Sequence, residues 1–433
     1  MVLVLIASIF GVFVLSAPLL RRRLDIFEPL TYFIVAYVLG GLIETVRLVA
    51  GYGLTSFPFG ITYESFITTQ IYSLIGLVSL QIGYNSKLST SLSLKIPKYK
   101  PSSIRFGRLW VSAVALYLVG LLFLYILLSS ISFNLFDLFQ ISSKRQVSSG
   151  YIRWGSKLIG VSTVLGFALN IKERNSILSI KSLFVFISVL SYFLYCFVFS
   201  TRGQFLTIVI IYFIVYRYIH GKFKLLRFLS VASALSMLFG FMGVIRGPRR
   251  FLTGGFWSAT FETITEKLFG LSSFYNITTF SLIVENVPDE FNYQWGSTLI
   301  NWLLFPIPRS YWPEKPINLG QRIGAELYHQ GIGKVGSGVP PPFVSELFLN
   351  FHLIGVVFGM FLFGAVSKSF HKYVIQNQSS LFSVVVYAIV ARYIFVLFAG
   401  DLTKTMVGML KWLVPIAIVF IICSGFRVPT TQN

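Results

Sequence analysis

About eleven apolar runs, each close to twenty residues long, follow one another along this chain, and one long hydrophilic insert interrupts them. A helical run of that length matches the hydrocarbon core of a bilayer, because each helical residue advances about 1.5 Å. The runs lie near 2–20, 29–50, 66–86, 109–131, 156–171, 182–199, 204–219, 228–245, 350–367, 380–400 and 405–424. Only 12% of residues are charged and 55% are hydrophobic, whereas a soluble domain is about a quarter charged. Inside a bilayer no water is present to satisfy backbone N–H and C=O groups, so each run must satisfy its own by coiling. The expected class is an all-α polytopic integral membrane protein. Residues 1–433 read as a single membrane domain, with 246–349 forming a large loop between the eighth and ninth helices.

Charge placement sets an expected orientation. Arg21, Arg22 and Arg23 follow the first apolar run rather than precede it, the reverse of a secretory signal. By the positive-inside rule that triplet stays cytoplasmic, which places the N-terminus outside and the C-terminus in the cytoplasm. Later clusters agree with this, including Lys87 to Lys100, Lys172 to Lys181, Arg217 to Arg227, and Lys368 with Lys372. Most of the net charge of +21 is therefore topological, facing an anionic inner leaflet, and calls for no nucleic-acid partner. The two cysteines, Cys196 and Cys423, sit inside apolar runs and resemble small hydrophobes. No Walker A, HExxH or GxSxG pattern occurs, and no acidic cluster suggests a metal site or a bound cofactor.

Chemistry-bearing residues gather on the predicted outer face. Ser200-Thr201-Arg202-Gly203-Gln204 forms a tight turn between two runs. There Arg202 either snorkels or meets an anion. Arg246-Gly247-Pro248-Arg249-Arg250 opens the insert, against the positive-inside trend. Arginine suits bidentate contact with phosphate, and headgroup anchoring is the alternative. Pro306 to Pro316 carries Arg309, Tyr311, Trp312 and Lys315 among four prolines that forbid a regular helix. Trp312 is placed to stack on a sugar or to sit in the interfacial belt. A Gly-rich run then leads through Pro340-Pro341-Pro342 to Ser345 and Glu346. Glu346 either caps a helix dipole or serves as a carboxylate base. His329 is the single outer-facing histidine, and Arg392 lies deep in the tenth run, near Asp401. Arg392 either binds a ligand or holds Asp401 or Glu44.

These segments together resemble the O-antigen and capsular oligosaccharide repeat-unit polymerases of the Wzy type. Phe199 to Leu206 (FSTRGQFL) looks like that family's Ser-Arg-Gly turn. Ile307 to Pro316 (IPRSYWPEKP), the Gly-rich run and PPFVSELFLNFHLIG look like its Pro-Arg-aromatic-Pro-x-Lys-Pro signature and Glu-x-x-x-Asn helix start, here Glu346 and Asn350. Arg309 to Gly320 and Arg322 to Gly333 also fit an Arg-x10-Gly spacing found in outer loops of some members. The resemblance implies a GT-C-like membrane glycosyltransferase of the bacterial inner membrane. Its donor and acceptor would be undecaprenyl-pyrophosphate-linked oligosaccharides, its surroundings membrane lipids, and its partner a chain-length regulator. It implies Arg202, Arg246, Arg249 and Arg309 near pyrophosphate, with Arg322 and Arg392 further substrate-binding candidates. Trp312 would contact sugar, and Glu346 or, failing that, His329 would be the base. Diphosphate is a good leaving group, and arginines can stabilise its developing charge without a metal. A ligase acting on the same donor, or a lipid-linked oligosaccharide transporter, are the competing readings.

Overall fold

A computed structural model of the protein describes residues 2–16, 25–49, 61–96, 105–129, 150–176, 178–199, 201–221, 230, 234, 276–327, 339 and 341–424. Among them every regular element is helical. Among the described residues nine helices are long and apolar enough to cross a bilayer: Pro29–Val46, Tyr63–Asn85, Phe106–Ser129, Gly150–Glu173, Ile180–Val198, Gly203–His220, Phe343–Gln376, Leu381–Phe398 and Leu402–Ser424. The protein is a polytopic, membrane-embedded helical protein. Val2–Ser16 is a shorter apolar helix, and the expected span at 228–245 lies almost wholly outside the described residues. The described residues divide into two compact units, each assembled from separated stretches of chain.

The first unit comprises Met1–Pro97, Glu266–Tyr373 and Tyr393–Met409. Its centre is a close crossing of the Tyr63–Asn85 and Phe343–Gln376 helices. A Cβ at Gly83 would strike the Phe361 carbonyl, and one at Gly364 the Leu80 carbonyl. Small residues allow such backbone approach, which between lipid-embedded helices supplies dispersion contacts that apolar solvent cannot. Ser8, Thr45 and Gln70 form a buried hydrogen-bonded triangle that ties the first helices to this centre, with the Gln70 amide donating to Thr45 Oγ1 at 2.8 Å. At one end of the unit Glu28 accepts from Lys368 Nζ at 2.5 Å and from the Tyr84 hydroxyl at 2.6 Å. His371 lies 3.7 Å from Asp25 and 3.8 Å from Glu28. Lys372 donates to Ser89 at 3.2 Å. Lys368 and Lys372, placed together on one side of the membrane by charge pattern, share one end of the unit with Asp25, Glu28 and His371.

The ninth span departs from expectation. The sequence reading starts it near residue 350, but helix begins at Phe343 and runs to Gln376, with a break at Phe351 (φ −140°, ψ 24°) and His352 (φ 54°, ψ −146°). Side-chain placement shows the chain doubling back there. A Cβ at Gly355 would meet the Leu347 carbonyl, and one at Gly359 the Leu347 side chain. Phe343 and Phe363 rings lie 5.3 Å apart, whereas twenty residues of straight helix would separate them by about 30 Å. The Phe343–Asn350 stretch is thus a short helix folded against the spanning helix that follows. Every residue from Pro341 to Asn350 is buried.

The second unit comprises Lys98–Thr265, Val374–Arg392 and Leu410–Asn433. Phe106–Ser129 packs on Leu158–Glu173, where Ser162 Oγ donates to the Ala113 carbonyl at 2.6 Å. Glu173 gathers the Trp110 indole N–H at 2.9 Å, Lys181 at 2.7 Å and Asn175 at 3.0 Å. Gly160 lets Tyr192 and Trp412 approach.

Candidate functional site

The folded-back helix carries the candidate site of the first unit. Asn350 is its hub. The Asn350 amide donates at 2.7 Å to Thr298 Oγ1 and to the Glu346 carbonyl, while its Oδ1 accepts the Gly296 N–H at 2.7 Å. The Gln294 N–H donates to the Leu349 carbonyl at 3.0 Å, and the Thr403 hydroxyl donates to the Thr298 carbonyl at 3.0 Å. Residues 294–298 of the insert are in this way bolted to the Phe343–Asn350 helix and to the start of the Leu402–Ser424 helix.

Two carboxyl groups meet at that last helix start. Asp401 Oδ1 accepts the Lys404 N–H at 2.8 Å, the geometry of an N-cap. Glu346 Oε2 accepts the Leu402 N–H at 2.7 Å. A helix N-terminus favours both negative charges through its unsatisfied N–H groups. Glu346 and Asp401 are 0% and 1% exposed. Among the described residues Glu346 Oε1 and Asp401 Oδ2 are buried and meet no donor at hydrogen-bonding geometry. Burial holds the Asp401 carboxyl above its ordinary 3.8, opposed by the Lys404 N–H and ammonium. Among the described residues no three His, Cys, Asp or Glu side chains lie together as a metal site would require.

Arg322 belongs to the same constellation. Its Nη1 donates to Gln294 Oε1 at 2.6 Å, its Nε to Glu326 at 2.8 Å, and its guanidinium lies 4.6 Å from the Phe291 ring centroid. The helix bearing it, Leu319–Glu326, is started by the Asn318 side chain, which accepts the Gln321 N–H. Arg309 behaves differently. It donates to the Pro313 and Pro316 carbonyls at 3.3 and 3.2 Å, while Lys315 donates to those of Phe305 and Ile307. The proline-rich segment is therefore cross-braced by its own cations. Burial and the nearby Arg309 charge hold Lys315 below its ordinary 10.5. Trp312 sits in this braced loop, 36% exposed.

Arg202 begins the Arg202–His220 helix of the second unit, and its side chain lies outside the described set. Arg392 is on the Leu381–Phe398 helix, also in the second unit. Arg246, Arg249 and His329 lie outside the described residues.

Sequence reasoning passed over Trp295. It has φ 46°, and the next residue, Gly296, has φ 87°. A left-handed backbone costs a non-glycine residue about 1–2 kcal/mol, yet Trp295 is 76% exposed and pays this with little burial in return. The Trp295-Gly296 pair was a legible turn signal, but nothing in it indicated which of the two residues would be forced left-handed.

A family described as a Domain of unknown function (DUF8712) matches residues 261–427. That stretch takes in Arg309, Trp312, Arg322, His329, Glu346 and Arg392, and leaves out Arg202, Arg246 and Arg249. No curated protein and no solved structure matches the chain.

Proposed function

We propose that the protein is a GT-C-like membrane glycosyltransferase that polymerises undecaprenyl-pyrophosphate-linked oligosaccharide repeat units at the outer face of the cytoplasmic membrane. The observation that carries the reading is the union of the motif residues. Glu346 and Asn350 share one hydrogen-bonded constellation with Gln294, Gly296, Thr298 and Arg322 of the insert. In the proposed reaction the bond from the anomeric carbon to pyrophosphate breaks, with its electron pair leaving on the diphosphate. The acceptor hydroxyl oxygen forms the new glycosidic bond, and its proton passes to a carboxylate.

Glu346 is the first choice for that carboxylate. Its Oε2 is fixed by the Leu402 N–H, and the Thr298 hydroxyl stands beside the carboxyl group, so the group is held in one orientation. Because Glu346 is fully buried, the reading requires the segments that cover it to shift before an acceptor hydroxyl can reach Oε1. Arg322 would meet the leaving diphosphate. Arg309 would contribute mainly by holding the proline-rich loop in shape.

The deciding experiment supplies purified protein with lipid-linked repeat units from the host, without ATP or added metal. Products longer than one unit are expected, with Glu346→Gln stably folded but inactive. Absence of any lengthened product from the folded wild-type protein would remove the polymerase reading. Lengthening by Glu346→Gln at the wild-type rate would remove Glu346 as the base.

A further inference from the structure

Trp295 is an exposed indole on a backbone that resists being where it is. Its two neighbours are anchored to the same helix, Gln294 through its N–H to the Leu349 carbonyl and Gly296 through its N–H to Asn350 Oδ1. These anchors hold the left-handed turn and aim the ring outward. Strain kept in place by surrounding structure is a recurring mark of a working surface. The Tyr293 ring lies 6.1 Å from the indole at a tilt of 58°. Tyr293 in turn rests on His352 and Phe348, at 6.0 and 6.4 Å. The exposed ring is thus backed by a packed aromatic stack that ends at the break in the Phe343–Gln376 helix.

The surroundings of this surface are mixed: the exposed Phe351 ring lies against Gly296, and polar side chains flank the turn in the chain. Asn292, Asp289 and Glu290 are exposed beside it in the chain. Arg322, with its side chain one-third exposed, reaches Gln294, the residue next to Trp295. A pyranose ring has an apolar C–H face and a rim of hydroxyls. It is recognised by a flat aromatic face with hydrogen-bonding side chains around it. An interfacial anchor needs neither the charged rim nor the left-handed backbone, and the exposed Ile300 and Leu303 further along the insert already offer apolar contact.

We propose that Trp295, backed by Tyr293 and edged by Arg322 and Asn292, is a stacking subsite for a sugar of the glycan chain. This rests on the glycosyltransferase reading, and it moves the sugar contact from Trp312 to Trp295. The subsite adjoins the Glu346–Asn350 helix directly, through the Gly296 and Gln294 anchors. A sugar bound there would lie against the turn that is hydrogen-bonded to the helix carrying the proposed base.

The test uses the full protein in nanodiscs and, as probe, the oligosaccharide repeat unit released from the host's own surface polysaccharide. Saturation-transfer NMR on the wild type is expected to show transfer to protons on one ring face. Trp295→Ala should weaken binding by roughly tenfold, and Trp295→Tyr should restore most of it. In turnover assays Trp295→Ala should raise KM and leave kcat largely unchanged. Equal oligosaccharide binding by wild type and Trp295→Ala would overturn the subsite. So would strong quenching of the Trp295 contribution by brominated phosphatidylcholine that the oligosaccharide fails to relieve, which would assign the indole to the membrane. A wild-type protein that binds through Trp295 but never lengthens lipid-linked units would overturn the polymerase reading and leave the subsite standing.

Discussion

Two buried acidic groups of the first unit make opposite use of the same chemistry. Glu28 accepts from Lys368 and Tyr84, and the His371 ring lies 3.8 Å away. Burial works to raise its carboxyl, but His371 and the Lys368 and Tyr84 hydrogen bonds outweigh burial, and the group lies below its ordinary 4.5. Glu346 and Asp401 have backbone N–H partners on one oxygen each and leave the other oxygen unpaired. The first arrangement is compensated and so joins helices. The second is left short of partners, which a structural role alone does not require, since a buried polar atom without a partner is a cost. The proposed assignment of Glu346 as the base rests on this difference.

Removing one side of the compensated pair should have the largest effect. Glu28→Ala leaves the Lys368 ammonium buried without its carboxylate and should cost about 3–5 kcal/mol, read as a lower melting temperature in detergent. A loss no greater than that of a surface substitution would mean the two clusters do not differ as described. Asn350→Ala should come next. It strips partners from the Gly296 N–H and the Thr298 hydroxyl and should cost about 2–3 kcal/mol, with residues 294–298 becoming open to proteolysis.

The two acidic groups should also bend the pH profile in opposite directions. The Glu28 carboxyl is depressed, so its stabilisation is full above about 4.5 and fades as pH falls through its folded value. Asp401 is raised, so its contribution is full below about 3.8 and fades as pH rises through its folded value. Melting temperature against pH should lose its acid-side slope in Glu28→Gln and its upward-pH loss in Asp401→Asn. Matching profiles for both variants would erase the contrast. The smallest stability effect belongs to Glu346→Gln, about 1 kcal/mol or less, because the amide oxygen can still accept the Leu402 N–H. If the site reading is right, activity rather than stability is what that variant loses.

Much of the fold was legible because bilayer thickness imposes helix length. The span expected at 182–199 is Ile180–Val198 and that at 405–424 is Leu402–Ser424. The ninth span was misread at its start for a physical reason. Phe343–Asn350 is as apolar as the helix it folds against, and composition does not report a reversal at Phe351 and His352. The candidate site was legible in part. Glu346 and Asn350 stood out at helical spacing, and Arg322 joined them through Gln294. Trp312, chosen for its proline-rich setting, sits in a self-braced loop, whereas the more exposed indole is Trp295.

By itself, then, the sequence determined the class of protein, the number and placement of most spans, and which residues were chemically unusual. Those follow from local quantities, namely the free energy of placing apolar side chains in lipid and the need of each backbone segment to satisfy itself. Which unusual residues meet was decided only by the tertiary structure. Glu28 is paired with the Lys368 ammonium and Glu346 is held by a backbone N–H, although both are acids at the start of apolar helices. The partner of a buried carboxylate is set by what lies across from it on other helices, and sequence distance does not encode that. The reversal at His352 carries Glu346 back along its own spanning helix and brings it to the N-terminus of the Leu402–Ser424 helix.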